Sequence, residues 1–133
     1  MSAPLSDIDE LLRSMQPSRN AGVYVFASVP ADTDTGLLEP VAMIRERQGL
    51  TVVVEEERAR QARLRVLFRA TWITLDVHSD LAAVGLTAAF SKALGDAGIS
   101  CNVIAGAFHD HLFVPVESGG AAMAVLIALQ RRS

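Results

Sequence analysis

The stretch that decides the fold is WITLDVHSDLAAVGLTAAFSKALGDAGISCNVIAGAFHDHLFVPV, residues 72–116. It opens with a strand-like segment, after which apolar residues recur at helical spacing over 86–97. Gly98 stands where a left-handed helix C-cap belongs, and Ile99 supplies the apolar contact that usually follows such a cap. The stretch therefore predicts a strand followed by a capped helix.

Two further strands and a helix complete the C-terminal half. Residues 100–105 and 111–116 read as strands joined by a turn, and Ser118 can cap a last helix over 119–131. Right-handed crossover rules place the first two strands of such a unit parallel, with the third inserted antiparallel between them. This order of elements predicts a ferredoxin-like unit.

The N-terminal half repeats part of that order. The predicted elements are a helix over 6–15, a strand over 21–29, a loop over 30–40, strands over 41–46 and 50–54, a short helix from 55 to about 63, and strand-like segments over 64–77 with a bend at 69–71. The shared helix–strand–strand–helix core indicates a degenerate duplication. We therefore predict an α+β, ferredoxin-like βαββαβ fold with helices packed on an antiparallel sheet, in halves 1–63 and 64–133 that share strands.

Composition excludes several classes of function. The 133 residues carry a net charge of −3 and few aromatic residues, which argues against nucleic-acid binding. No stretch approaches the roughly 20 apolar residues of a membrane span, and the start of the chain lacks the pattern of a signal peptide. The single cysteine, Cys101, fits a reducing cytoplasm. We expect a cytoplasmic protein with no membrane partner.

Polar groups are predicted to converge at one rim of the sheet. The topology brings His78, at the end of the first strand, to the turn that carries His109 and His111. The start of helix 86–97 points to the same rim and offers free backbone N–H groups and a positive dipole end. The rim could therefore bind a small anionic ligand, or its histidines could hold a metal ion together with an aspartate, for which the candidates are Asp76, Asp80 and Asp110.

Enzymatic activity has little support in the sequence. No serine lies in a G-x-S-x-G elbow, and no base is predicted to face Cys101. No pair of carboxylates is isolated in an apolar pocket. We therefore predict a protein without catalytic residues, cofactor or resident metal.

Residues 72–117 resemble the ACT domain, the small ligand-binding regulatory module of amino-acid metabolism. The likeness is most specific in AVGLTAA at 83–89 and in ALGDAGISCNVIAGAFHDHLFV at 93–114. The segments YVFASVP at 24–30 and EPVAMIRERQGLTVVVEEE at 39–57 are similar to the N-terminal part of short bacterial ACT proteins, and the ACT repeats of aspartate kinases and CASTOR-type sensors are more distantly similar.

The resemblance implies a regulatory ACT pair that binds an amino acid and forms a homodimer, often side by side. In the family, the ligand sits between the first strand–helix loop and a strand of a neighbouring unit. Carried onto this chain, the ligand-binding positions are Ser79, Val84, Gly85, Leu86, Asn102, Ile104 and Asp110. The family's sensors often have a tyrosine where this chain has His111.

Overall fold

The computed structural model describes residues 8–76 and 85–132. The strands are β1 (Gln16–Arg19), β2 (Tyr24–Val29), β3 (Ala42–Glu46), β4 (Gly49–Glu55), β5 (Phe68–Asp76), β6 (Asn102–Ala105) and β7 (Asp110–Pro115). The helices are α1 (Ile8–Ser14), α2 (Glu56–Gln61), α3 (Leu86–Asp96) and α4 (Gly119–Arg132), with 3-10 turns at Gly36–Leu38 and Val116–Ser118.

All the strands join one antiparallel sheet in the order β3-β4-β2-β5-β7-β6, with β1 beside β5. The predicted placement of the third strand of the C-terminal unit is confirmed, because β7 lies between β5 and β6 and is antiparallel to both. The predicted α+β, ferredoxin-like class is also confirmed. The described helices lie on one side of the sheet, and no helix within residues 8–76 and 85–132 packs on the other side.

The predicted bend at residues 69–71 is wrong. Strand β5 runs without interruption from Phe68 to Asp76, and Ala70 and Thr71 pair with Pro115 and Val114 of β7. The start of β5 pairs with β2 on its other edge. Hydrogen bonding to two neighbours holds this segment extended, although its local sequence suggests a break.

Strand β1 was not predicted, and it fills the remaining part of the free edge of β5. Gln16 pairs with Asp76 and Arg19 with Ile73, so β1 and β2 lie end to end along the same neighbour. Residues 20–23 connect the two strands opposite only residues 71–72 of β5, so the connection forms a bulge with two extra residues. Gly22 lies in this bulge with φ 91°. A positive φ of this kind is unstrained only for glycine.

The core lies between the sheet and the helices. One apolar cluster packs α1, α3 and α4 against β5 and β7, and a second packs α2 against β2 and β4. Because α1 joins the first cluster through Leu11 and Leu12, the N-terminal helix packs in the core of the C-terminal half. The boundary between residues 63 and 64 stays a prediction. None of the described helices is long and apolar enough to span a bilayer.

The predicted cap of α3 is confirmed in detail. Gly98 has φ 76°, and its N–H donates to the Gly95 carbonyl at 2.9 Å. The Ile99 N–H donates to the Leu94 carbonyl, also at 2.9 Å. These two bonds form a Schellman motif, and buried Ile99 makes the apolar contact that accompanies it.

Candidate functional site

The end of β5 and the β6–β7 hairpin meet at one edge of the sheet. Leu75 pairs with Asp110, and the Nδ1 atom of His109 lies 3.7 Å from an Asp76 carboxylate oxygen. The hairpin closes with a hydrogen bond from the Gly106 N–H to the His109 carbonyl, which leaves Phe108 exposed at its tip. The predicted juxtaposition of these two strand ends is thus confirmed for the described residues, whereas His78 and Asp80 lie outside them.

No side chain of residues 8–76 or 85–132 caps the start of α3. Gly85 precedes the helix with φ 107°. Because glycine has no side chain, it cannot accept a hydrogen bond from the first N–H groups of the helix. Leu86 is buried in the core, whereas Thr87 and Ala88 are exposed. Position 85 requires glycine because of its positive φ and not because of crowding. A Cβ there would make only ordinary contacts, the nearest with an Ile8 side-chain atom at 3.5 Å.

The other predicted ligand positions divide between the two faces of the sheet. Asn102 and Ile104 pair with Phe113 and His111, and Ile104 packs in the apolar cluster on the helix-free face. Side chains alternate along β7, so Asp110 lies on the helix side together with Leu112. Ser79 and Val84 lie outside the described residues.

Asp110 is half-buried at this edge. Burial raises the pKa of its carboxyl group above the ordinary value, and the nearby His111 and His109 partly offset that rise. A carboxylate that has lost part of its hydration gains more from a cationic ligand group than one in free solution does. Asp110 is therefore suited to an ammonium group.

Four side chains form a hydrogen-bonded cluster on the helix-free face. The indole N–H of Trp72 donates to Nδ1 of His111 at 3.1 Å, and the Thr74 hydroxyl lies 3.5 Å from the same nitrogen. The amide of Asn20 donates to the Thr74 hydroxyl at 3.0 Å. Because an indole N–H can only donate, His111 must be neutral, with its proton on Nε2.

The environment of His111 favours that neutral form. Burial lowers the pKa of His111 below its ordinary value, and the charge of His109 lowers it further. The two imidazole rings lie 6.3 Å apart on the same face, as their spacing of two residues predicts. Within residues 8–76 and 85–132, no three His, Cys, Asp or Glu side chains are grouped so as to hold a metal ion.

Two surface crevices in the described part of the chain lie away from this edge. One is lined by Glu56, Arg60, Leu64 and Val66, and the other lies between α3 and α4. Glu56 and Arg60 already form ion pairs, with Arg69 and Glu57 respectively. A charged ligand would have to compete with these pairs in the first crevice, so it is a weaker candidate than the edge.

Comparison with known sequences decides the family. Two family models of the ACT domain match this chain, one over residues 3–71 and the other over residues 67–128. The chain belongs to the ACT domain family. ACT domains are typically regulatory, non-catalytic, ligand-binding modules. Among curated proteins, none matches this sequence.

Several solved structures are similar over most of the chain. A Vibrio cholerae protein of unknown function, described as a possible transport protein, is 48% identical with a TM-score of 0.85, and the match covers 94% of this chain and 97% of that one. An Agrobacterium tumefaciens protein is 20% identical with a TM-score of 0.70, covering 87% and 89%. The regulatory subunit of aspartate kinase from Thermus thermophilus is 10% identical with a TM-score of 0.65, covering 85% and 95%, which shows a shared fold.

The two ACT units share one strand. The first comprises β2, β3, β4 and α2, with β5 as its fourth strand, and a 3-10 turn stands where its first helix would be. The second comprises β5, α3, β6, β7 and α4, with β1 on its free edge. The two sequence matches overlap at residues 67–71, around the start of this shared strand.

Sequence reasoning missed the residues that hold His111. Trp72 and His111 are diagonal neighbours, because Trp72 pairs with Phe113 and His111 pairs with Thr74. Their shared face follows from strand alternation, but the contact depends on the register of β5 against β7. The sequence alone does not determine this register, so it could not show that Asn20, Trp72 and Thr74 lie beside His111.

Proposed function

We propose that this ACT protein is a non-enzymatic cytoplasmic regulator that binds an amino acid and acts as a homodimer. The proposed ligand-binding positions are Ser79, Val84, Gly85, Leu86, Asn102, Ile104 and Asp110. The observation that carries the proposal is the start of α3, which no side chain of the described residues caps, on the same side of the sheet as the half-buried carboxyl group of Asp110.

The two ends of an α-amino acid have complementary partners in these features. The backbone N–H groups of Gly85 and Leu86, at the positive end of the α3 dipole, suit a carboxylate. Asp110, or alternatively Asp76 or Asp80, suits the ammonium group. Membership of a family of regulatory ligand-binding modules supports a binding role for this edge.

Asn102 and Ile104 would contribute differently from the remaining positions. Their side chains lie on the helix-free face, opposite to that of Asp110. In one copy, Gly85, Leu86 and Asp110 are therefore the described positions best suited to a common ligand. Asn102 and Ile104 are proposed on the family resemblance alone, because from the helix-free face they do not reach a ligand held at Asp110 of the same copy.

Thermal denaturation in the presence of each of the twenty amino acids tests the binding. We expect at least one of them to raise the Tm of the wild-type protein, and Asp110→Asn to abolish that increase with little change in shape. Asp96→Asn is the matched control, because Asp96 is an exposed carboxylate paired with Lys92 on α3. The absence of an increase with every amino acid would contradict the proposal.

Gly85→Val is a less discriminating variant. At φ 107° any side chain strains the backbone, so the substitution lowers stability whether or not a ligand binds. Its ligand response must therefore be measured against the unliganded Tm of the same variant. Loss of the increase in both Gly85→Val and Asp110→Asn would locate the ligand at this edge.

A metal-binding protein is the alternative proposal, through His78, His109 and His111. The rings of His109 and His111 lie on one face with centroids 6.3 Å apart, and Asp76 lies 3.7 Å from His109, which favours it. The Trp72 bond leaves only Nε2 of His111 for a metal ion. Metal that copurifies with the wild-type protein and is lost from a His109→Ala, His111→Ala variant would support this alternative. The remaining alternative is a purely structural oligomerisation module, in which the rim stays empty.

A further inference from the structure

The helix-free face of the sheet carries most of the aromatic side chains. The chain has seven aromatic residues, five Phe, one Trp and one Tyr. Five of them lie in the apolar cluster on this face. The aromatic face, as we define it, consists of Tyr24, Phe26, Ala42, Val53, Phe68, Ala70, Trp72, Ile104 and Phe113. No element in the described ranges packs over it, because all four helices belong to the opposite side.

The rings of the aromatic face contact one another in ordered geometries. Phe26 lies edge-on to Phe113 and Phe68, with centroids 5.4 and 5.7 Å apart, and Tyr24 lies edge-on to Trp72 at 5.0 Å. Such contacts fix the rings before any partner binds, so little side-chain entropy is lost on association. Tyr24, Phe26, Phe68 and Trp72 nevertheless remain partly exposed in the single chain.

Among the described residues, the charged groups on this side of the sheet lie around the aromatic face and not within it. Strand alternation places Glu46 and Glu55 at one border and Asp76 with His109 at another. The indole N–H of Trp72 is already bonded to His111, so Trp72 requires no polar partner from a second copy. A flat apolar surface without charge is complementary to a copy of itself.

We propose that the aromatic face is the interface of the homodimer, with two sheets packed face to face. The inference rests on the proposed dimer and assigns its surface. The aromatic face occupies the centre of the helix-free side of the sheet. Six strands spaced about 4.8 Å apart and roughly 20 Å long give that whole side, with its polar border, about 500 Å² in each copy. Two such faces bury about 1,000 Å², the lower bound for a specific interface. Sheets packed about 10 Å apart also match the depth of two layers of side chains.

The edge strand β3 is the competing surface, for a side-by-side dimer. Its Met43 and Ile44 are 47% and 52% exposed, but Arg45 and Glu46 follow them directly. Charged side chains on a short edge strand discourage pairing with another chain. Five residues of edge also bury much less apolar surface than the aromatic face, so the face is the stronger interface.

Measurement of the mass in solution, by sedimentation, tests this assignment. We expect the wild-type protein to be a dimer, and Phe68→Glu and Phe26→Glu to be folded monomers, because each substitution would bury a charge at the proposed interface. Met43→Glu is the matched control on the helix side of the β3 edge and should remain a dimer. A wild-type monomer, or a folded dimer for both face variants, would overturn the assignment.

The single tryptophan provides a second test that needs no substitution. Trp72 lies in the aromatic face, so dilution that dissociates the dimer should increase quenching of its fluorescence by acrylamide. Unchanged quenching across the dissociation range would refute the interface even if the face variants fail to fold. Amino-acid binding is scored separately, by the Tm increase of each folded variant. Failure of the interface and failure of ligand binding are therefore distinguishable.

Discussion

Acidification is expected to break the hydrogen bond between Trp72 and His111. The bond requires a lone pair on Nδ1 of His111, 3.1 Å from the indole nitrogen. Protonation would place a second donor on Nδ1, opposite the indole N–H, and neither group can accept. The perturbation is thus a change of one proton that converts an attractive contact into a repulsive one.

The direction and size of the effect follow from the pKa of His111. Burial and the charge of His109 lower this pKa below 6.5, so the unfolded chain takes up the proton at a higher pH than the folded one. The stabilisation is complete above about pH 6.5 and declines as the pH falls through the folded pKa, with a slope of at most about 1.4 kcal/mol per pH unit. Because the ring is partly exposed, the hydrogen bond contributes about 1 kcal/mol or less.

Fluorescence of the single tryptophan reports this proton directly. We expect a transition with its midpoint below pH 6.5 in the folded protein, absent from His111→Gln. His109→Gln should raise the midpoint, because it removes a nearby positive charge, whereas Asp110→Asn should lower it. A midpoint at or above 6.5, or an unchanged transition in His111→Gln, would refute the proposed geometry.

Three further substitutions or reactions test the packing. Phe90→Ala removes a fully buried ring and should lower the free energy of unfolding in urea by about 3–5 kcal/mol, whereas exposed Lys92→Ala should change it by less than about 0.5 kcal/mol. Gly98→Ala should cost about 1–2 kcal/mol at φ 76°, and Gly95→Ala in the helix interior should instead stabilise, so equal effects in thermal melts would argue against the cap. Burial raises the pKa of Cys101 to about 11, so iodoacetamide at pH 8 should alkylate it about 100-fold more slowly than an ordinary thiol, and rapid labelling of the folded protein would contradict this.

Local signals were sufficient for much of the fold. Gly98 and Ile99 determine the end of α3 through bonds within six residues, and the sequence predicts that motif correctly. Strand β1 was missed because QPSR has a proline and no β-branched residue, and it is extended only because β5 lies beside it. The bend predicted at residues 69–71 failed for the same reason, since pairing with two neighbours outweighs local propensity.

The candidate site was only partly predictable. Topology alone brought the end of β5 to the β6–β7 hairpin, so the contact between Asp76 and His109 was foreseeable. The sequence could not show that Ile104 and Asp110 lie on opposite faces, because a shift of one residue in register exchanges the faces. The Trp72–His111 bond depends on the same register.

Backbone NMR during an amino-acid titration tests the central claim most directly. We predict that the amide signals of Gly85 and Leu86 shift in proportion to bound ligand, together with those of the hairpin around Asp110. The amide of Gly98, at the other end of α3, should remain unchanged. Shifts confined to the crevice lined by Glu56 and its neighbours, or no shift at any amide, would contradict a ligand site at the start of α3.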